Sequence, residues 1–262
     1  MNKKTYLGIL TIITIVCIFT GLLYHVGHGL IGFASGRDYF SWDKWDQDEE
    51  SDTSGGIKQQ TLDAFTAIEA ESAVMDLTVQ QGDSYSIRCD ASTGLMPEYN
   101  VQNGKLVISQ RSVSFHFIWG FNSQRCHVTV TVPKGTVLTN VQTDAATGDT
   151  NISGIQTQVS SIKSNTGDIN IRDSELGDTV IKTDTGDIEA KDCGFTSGDI
   201  SSSVGDIEVA SDTDLSMWKL DLETSVGDVE VNNDDRGKSF SQDGKAGTMQ
   251  MSGSVGDISL KY

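Results

Sequence analysis

The clearest pattern in the chain is an alternation of apolar and polar residues that bends at a Gly-Asp pair and then begins again. The glycines of these pairs are Gly148, Gly167, Gly186 and Gly205, a period of 19 residues, followed by Gly227 and Gly256. Five positions before the glycine stand Thr143, Ile162, Ile181, Ile200, Leu222 and Met251. Two after it come Thr150, Ile169, Ile188, Ile207, Val229 and Ile258, and four after it Ile152, Ile171, Ala190, Val209, Val231 and Leu260. A two-residue step places alternate side chains on one face of a strand. Three before the glycine the residues are Ala145, Ser164, Thr183, Ser202, Thr224 and Gly253, small enough for a narrow interior corner. One such rung cannot bury its apolar face alone, so the repeat predicts neighbours stacked at strand spacing. The expected fold is all-β, a single-stranded parallel β-solenoid. The two longer intervals are expected to swell as loops around Trp218 and over residues 233–247 while the rungs keep register. Trp218, Leu215 and Met217 are expected in the core.

Upstream the pattern is weaker. Residues 85–88, 106–109 and 127–132 alternate as half-buried strands do, and Pro133 ends the last of them. Residues 62–79 are ambiguous, since their Ala-rich stretches also suit a helix. Residues 6–26 hold no formally charged side chain apart from His25, long enough to cross a hydrocarbon core of roughly 30 Å. Lys3 and Lys4 precede this segment and no acidic residue does, which predicts a cytoplasmic N-terminus. The expected organisation is thus a cytoplasmic stretch 1–5, an uncleaved transmembrane signal anchor 6–26, a linker 27–58 and an extracytoplasmic repeat domain 59–262. The linker is acidic and aromatic, and its Tyr39, Phe40, Trp42 and Trp45 suit either a plain spacer or a rest at the lipid headgroups.

Four segments carry a family resemblance: Asn-Thr-Gly-Asp-Ile-Asn-Ile171, Asp-Thr-Gly-Asp-Ile-Glu-Ala190, Ser-Val-Gly-Asp-Ile-Glu-Val209 and Ser-Val-Gly-Asp-Val-Glu-Val231. With the lead-in strand Val-Thr-Val-Thr-Val-Pro133, they resemble the bacterial β-strand-repeat family of adhesin-like proteins, from about residue 62 to the end of the sequence. The resemblance implies a surface-exposed solenoid, tilts residues 62–79 toward strands and supplies no catalytic residues.

Charge narrows the partners. After the first 26 residues come all 37 acidic residues and 17 of the 19 basic ones, a formal charge of −20. Such a surface repels nucleic acid and suits cations. The aspartates of the repeat, Asp149, Asp168, Asp187, Asp206, Asp228 and Asp257, would stand about 5 Å apart in stacked rungs, where like charges repel. One remedy is a hydrogen bond from each carboxylate to backbone N–H groups of its own turn. The other is a bound cation, with Asp187, Glu189, Asp206, Glu208, Asp228 and Glu230 as an acidic stripe able to take Ca2+. The Gly-Gly-x-Gly-x-Asp nonapeptide of calcium-binding β-rolls is not present. No other cofactor is expected.

Phe115, Phe117, Trp119 and Phe121 interrupt polar sequence and suit either a partner contact or a hairpin capping the open end of the stack. Cys89, Cys126 and Cys193 cannot all pair internally, and buried free thiols are the simpler reading beside a Cys89–Cys126 bridge. No Gly-x-Ser-x-Gly elbow or His-Glu-x-x-His helix occurs, so no enzyme is expected, although carboxylates alone would also fit a polysaccharide-active β-helix. The expected role is a membrane-anchored binding or scaffold module at the cell surface, with another envelope protein, the cell wall or a surface polymer as partner. A regulatory or sensory part in an envelope-stress response is the alternative.

Overall fold

The computed structural model describes residues 55–92, 94–110 and 125–262, all within one compact unit, 52–262. The described residues are all-β, without a helix, and form a 13-stranded and a 10-stranded sheet. The anchor 6–26, most of the linker and the run Phe115 to Phe121 lie outside the described residues. Among the described residues no helix is long and apolar enough to cross a membrane.

Each of the six repeats is a rung of two strands, one in each sheet, joined at the Gly-Asp bend, and two strand pairs nearer the N-terminus add two further rungs without that bend. We number the rungs in chain order: 1 (67–82), 2 (105–133), 3 (140–153), 4 (159–175), 5 (178–194), 6 (197–211), 7 (219–231) and 8 (248–261). Inward positions of both sheets meet in one core, because Ile162, Ile169, Ile181, Ile200, Val209, Leu222 and Met251 are all buried. Rung 1 settles the ambiguous segment as strands. Its bend is Met75-Asp76, and Ala70, Ser72, Leu77 and Val79 occupy the same columns as Thr143, Ala145, Thr150 and Ile152 of rung 3.

The sheets are mixed, so the expected parallel stacking does not extend over the whole domain. The six Gly-Asp rungs do pair in parallel and in register, Ile162 beside Ile181 and Ile181 beside Ile200. The spatial order of all eight rungs, however, is 2-1-3-4-5-6-8-7. Rung 8 lies between rungs 6 and 7, with Met251 beside Ile200 on one side and Leu222 on the other. Both sheets are mixed, since antiparallel strands close the ends: Gly56–Thr61 and Ser86–Ala91 beyond rung 2 in one sheet, and Glu98–Gln102 beyond it in the other. At the opposite end rung 7 doubles back through Asn232 and Asn233, both at positive φ, so that Asp234–Asp235 and Ser239–Gln242 run antiparallel along it. Positive φ at both central residues is what a tight two-residue hairpin turn needs. Doubling back covers strand edges that would otherwise invite pairing.

The inserted rung needs two crossing loops, and these are tied together. The Gln242 side-chain amide donates to the carbonyls of Leu215, Ser216 and Trp218 at 3.0–3.1 Å. Leu215 and Trp218 are buried as expected, but Met217 is 69% exposed because the loop turns it outward. Cys89, Cys126 and Cys193 are buried free thiols, and burial pushes them up to about 11, about 12 and about 11. The facing strands put Cys89 beside Val128 and Cys126 beside Ala91, so the two thiols sit two residues out of direct opposition.

Candidate functional site

The six Gly-Asp bends share one edge of the stack, where three ladders run from rung to rung. The first is carboxylate to amide. The Asp149 Oδ1 accepts the backbone N–H of Asp168 at 2.9 Å, Asp168 that of Asp187 at 2.9 Å and Asp187 that of Asp206 at 2.8 Å. The ladder continues through the inserted rung, Asp206 to Asp257 at 2.8 Å and Asp257 to Asp228 at 2.9 Å. The carboxylates of Asp149, Asp168, Asp187, Asp206 and Asp257 thus bond the neighbouring rung, not their own turn, and the Asp228 amide ends the ladder. Charge-assisted bonds of this kind offset the repulsion between carboxylates at strand spacing.

The second ladder is steric. The glycines have φ between +133° and +144°, and a Cβ on Gly167, Gly186, Gly205 or Gly256 would fall 2.1–2.2 Å from the carbonyl oxygen of the bend beneath. Glycine is required there for its conformation and for its lack of a side chain. The third ladder uses the small column. Ser164, Thr183, Ser202 and Thr224 hydroxyls donate to the carbonyls of Gly148, Gly167, Gly186 and Gly256 at 2.8–3.5 Å. This is why the inner corner is hydroxylated and not merely small.

The ladder begins one rung earlier than the repeat shows. Asp76 Oδ1 accepts the Asp149 N–H at 3.0 Å, and its Oδ2 lies 3.0 Å from His127 Nδ1. Asp76 was hidden because Met75 replaces the glycine and 73 residues separate it from Asp149. The spacing of Ala70, Ser72, Leu77 and Val79 around Met75 is the signal that reveals it.

The outer, glutamate column of the acidic stripe is not continuous. Asp168, Asn170, Asp187, Glu189, Asp206 and Glu208 line an open groove on the outer face beside the bends. Beyond Glu208 the next rung in space contributes Ser259, and only then comes Glu230. Asp228 and Glu230 are therefore separated from the other four. Glu189 is held by Lys191 and by Arg172, the latter at 2.8 Å, and Lys191 also lies 3.3 Å from Glu208. The hydrogen bond from Lys191, with the Lys191 and Arg172 charges, holds the Glu189 carboxyl below its usual range against a smaller opposing effect of burial. Among the described residues no group of three or more His, Cys, Asp or Glu side chains is arranged to hold a metal ion.

Fold and site together define an all-β stacked-repeat domain whose prominent acidic residues are engaged in holding rungs together. Residues 65–261 match the family model described as Toastrack DUF4097, and the chain belongs to that family. No curated protein matches it. Among solved structures, it is similar to a protein of Clostridium sporogenes provisionally named a cell adhesion protein. That likeness has 17% identity and a TM-score of 0.47 over 79% of this chain and 99% of that one. A provisionally named adhesin of Bacteroides fragilis gives 14% identity and a TM-score of 0.44 over 78% and 95%. A Parabacteroides distasonis structure, provisionally named a lipid-binding protein, gives 14% and 0.32 over 79% and 97%.

Proposed function

We propose that this chain is a non-enzymatic, membrane-anchored binding or scaffold module with its repeat domain outside the cell. The reading rests on one observation above others. The side chains that the sequence offers for chemistry are used structurally, the bend aspartates on backbone amides and Glu189 on Arg172 and Lys191. What remains outward is a stack of regularly spaced polar columns, suited to contact over an extended face. The uncharged residues 6–26 and the preceding Lys3 and Lys4 support anchoring with the N-terminus in the cytoplasm. The acidic surface favours partners with cationic groups, such as a basic envelope protein or an amine-bearing wall polymer.

The test is capture of isolated wall material and of envelope proteins by the full chain, in Ca2+ and in chelator. Retention of at least one of these is expected, with an affinity that falls as salt rises. Retention of nothing in either condition, together with turnover of a glycan substrate, would overturn the reading. Asp187→Asn is the informative control, since it removes a charge from the groove while leaving an acceptor oxygen for the Asp206 amide.

A further inference from the structure

Rung 8 is eighth in sequence and seventh in space, so the stack has two junctions between rungs that are not sequence neighbours, rung 1 to rung 3 and rung 6 to rung 8. The junction of rungs 6 and 8 is built differently from the others. Its strands in the 10-stranded sheet, Ser197–Val204 and Thr248–Val255, contain Gly198 and Gly253. The corresponding strands of rungs 1, 3, 4, 5 and 7 contain no glycine. Glycine inside a strand weakens it, through backbone entropy and through loss of a side chain to pack.

Gly253 also stands in the hydroxyl column, so no hydroxyl reaches the Gly205 carbonyl as Ser202 reaches that of Gly186. Ala145 leaves the same bond unmade between rungs 1 and 3, but neither strand there carries a glycine. Across the glycine-bearing junction Met249 fills the space over Gly198, and methionine is the least rigid of the apolar residues.

On the far side of rung 8 the joints are fuller. Thr224 donates to the Gly256 carbonyl at 2.8 Å, and the Asp228 amide donates to Asp257 at 2.9 Å. Gln242 ties the hairpin to the loop before rung 7, and a Cβ on Gly247 would meet the Trp218 ring at 2.7 Å, so that loop and ring are in close contact. On the near side, the loop's first residues belong to the body: the Asp212 amide donates to the Cys193 carbonyl at 3.0 Å.

The geometry points to a stack that parts between rungs 6 and 8, with rung 7, its return hairpin and rung 8 leaving as one unit hinged near Thr213 and Asp214. A stack of equivalent rungs opens instead from its outermost rung inward. The two modes break different hydrogen bonds. Parting at the junction releases the amides of Gly205 and Ile207, which donate to the carbonyls of Val255 and Asp257 at 2.9 Å. It preserves those of Gly256 and Ile258, which donate to Val226 and Asp228 at 2.9 Å. Each of the two faces so released carries two unpaired strand edges, one in each sheet, open to pairing with another chain.

The test is native-state hydrogen exchange at single-residue resolution on the full chain. Exchange of the Gly205 and Ile207 amides is expected to run about tenfold faster than that of Gly256 and Ile258, from the two glycines and the missing hydroxyl bond. Gly186 and Ile188, which bond rung 5 to rung 6, are expected to remain slow. Two further proteins check the cause. Gly253→Ser supplies the missing hydroxyl and is expected to slow Gly205 and Ile207 alone. A Ser201→Cys, Ser252→Cys protein, joined across these register partners by a short bismaleimide, is expected to lose the fast exchange. Equal rates in the two amide pairs, or faster exchange at Gly256 and Ile258, would overturn the inference, as would fast exchange persisting in the cross-linked protein.

Discussion

Replacing Gly186 by alanine tests the mechanics of the stack most directly. The Gly186 φ is +144°, a region that an L side chain adopts at a cost of about 1–3 kcal/mol. The new Cβ would also lie 2.1 Å from the Gly167 carbonyl oxygen and 2.6 Å from its carbon, both backbone atoms of the rung beneath. Neither can rotate away, so rungs 4 and 5 must separate at this edge. Separation weakens the amide bonds from Gly167 to Thr185 and from Ile169 to Asp187, both 2.9 Å, and the Asp187 bond to Asp168. At about 0.5–1.5 kcal/mol for each bond, strain and lost bonding together come to about 4 kcal/mol. Gly135 is the control, because its φ is +78° but a Cβ there meets nothing within 4 Å. Gly135→Ala should cost only about 1–2 kcal/mol. For a domain of this size the expected fall in Tm is about 10 °C for Gly186→Ala and about 4 °C for Gly135→Ala. Thermal unfolding by circular dichroism, repeated with urea, measures both. A Gly186→Ala protein no less stable than Gly135→Ala would refute the close-approach reasoning.

Three further outcomes follow from the same geometry. Thr143 Oγ1 is buried without a hydrogen-bond partner, in a gap lined by Ala70, Met75 and Thr150 that has no room for water. Thr143→Val keeps the shape and removes the unsatisfied hydroxyl, so a gain of about 1 kcal/mol in urea unfolding is expected. Asp187→Ala leaves the Asp206 amide without its acceptor and should cost about 1–2 kcal/mol, whereas Asp187→Asn should cost under about 0.5 kcal/mol. Equal losses for the two would show that charge, not acceptance, matters there. Because the folded Glu189 carboxyl is held below its ordinary value, its stabilising effect is complete above the ordinary glutamate range and is lost as pH falls through the depressed value. The gap in stability between wild type and Glu189→Gln should therefore close on acidification, as an acid titration of the urea midpoint would show.

The sequence alone determined the repeat, the bend and the inward columns. Side-chain alternation and the demand that a half-apolar strand be covered are local facts, legible wherever the period survives. The same columns explain why Ile181 and Ile200 stack and why the bend residue is glycine. Tertiary structure decided what local pattern leaves degenerate. Every rung carries nearly the same columns, so rung 6 is complementary to rung 7 and to rung 8 alike, and residue types do not rank the two neighbours. Only the hairpin at Asn232 and Asn233, which commits rung 7 to the capped end, leaves the inner place to rung 8. Rung 1 is not legible as a repeat because Met75 breaks the Gly-Asp signature while keeping the spacing around it. The aspartates were visible as a ladder, but the direction of their bonds was not. A carboxylate and an amide one rung away are 19 or more residues apart in the chain, and only stacking brings them to 2.8–3.0 Å.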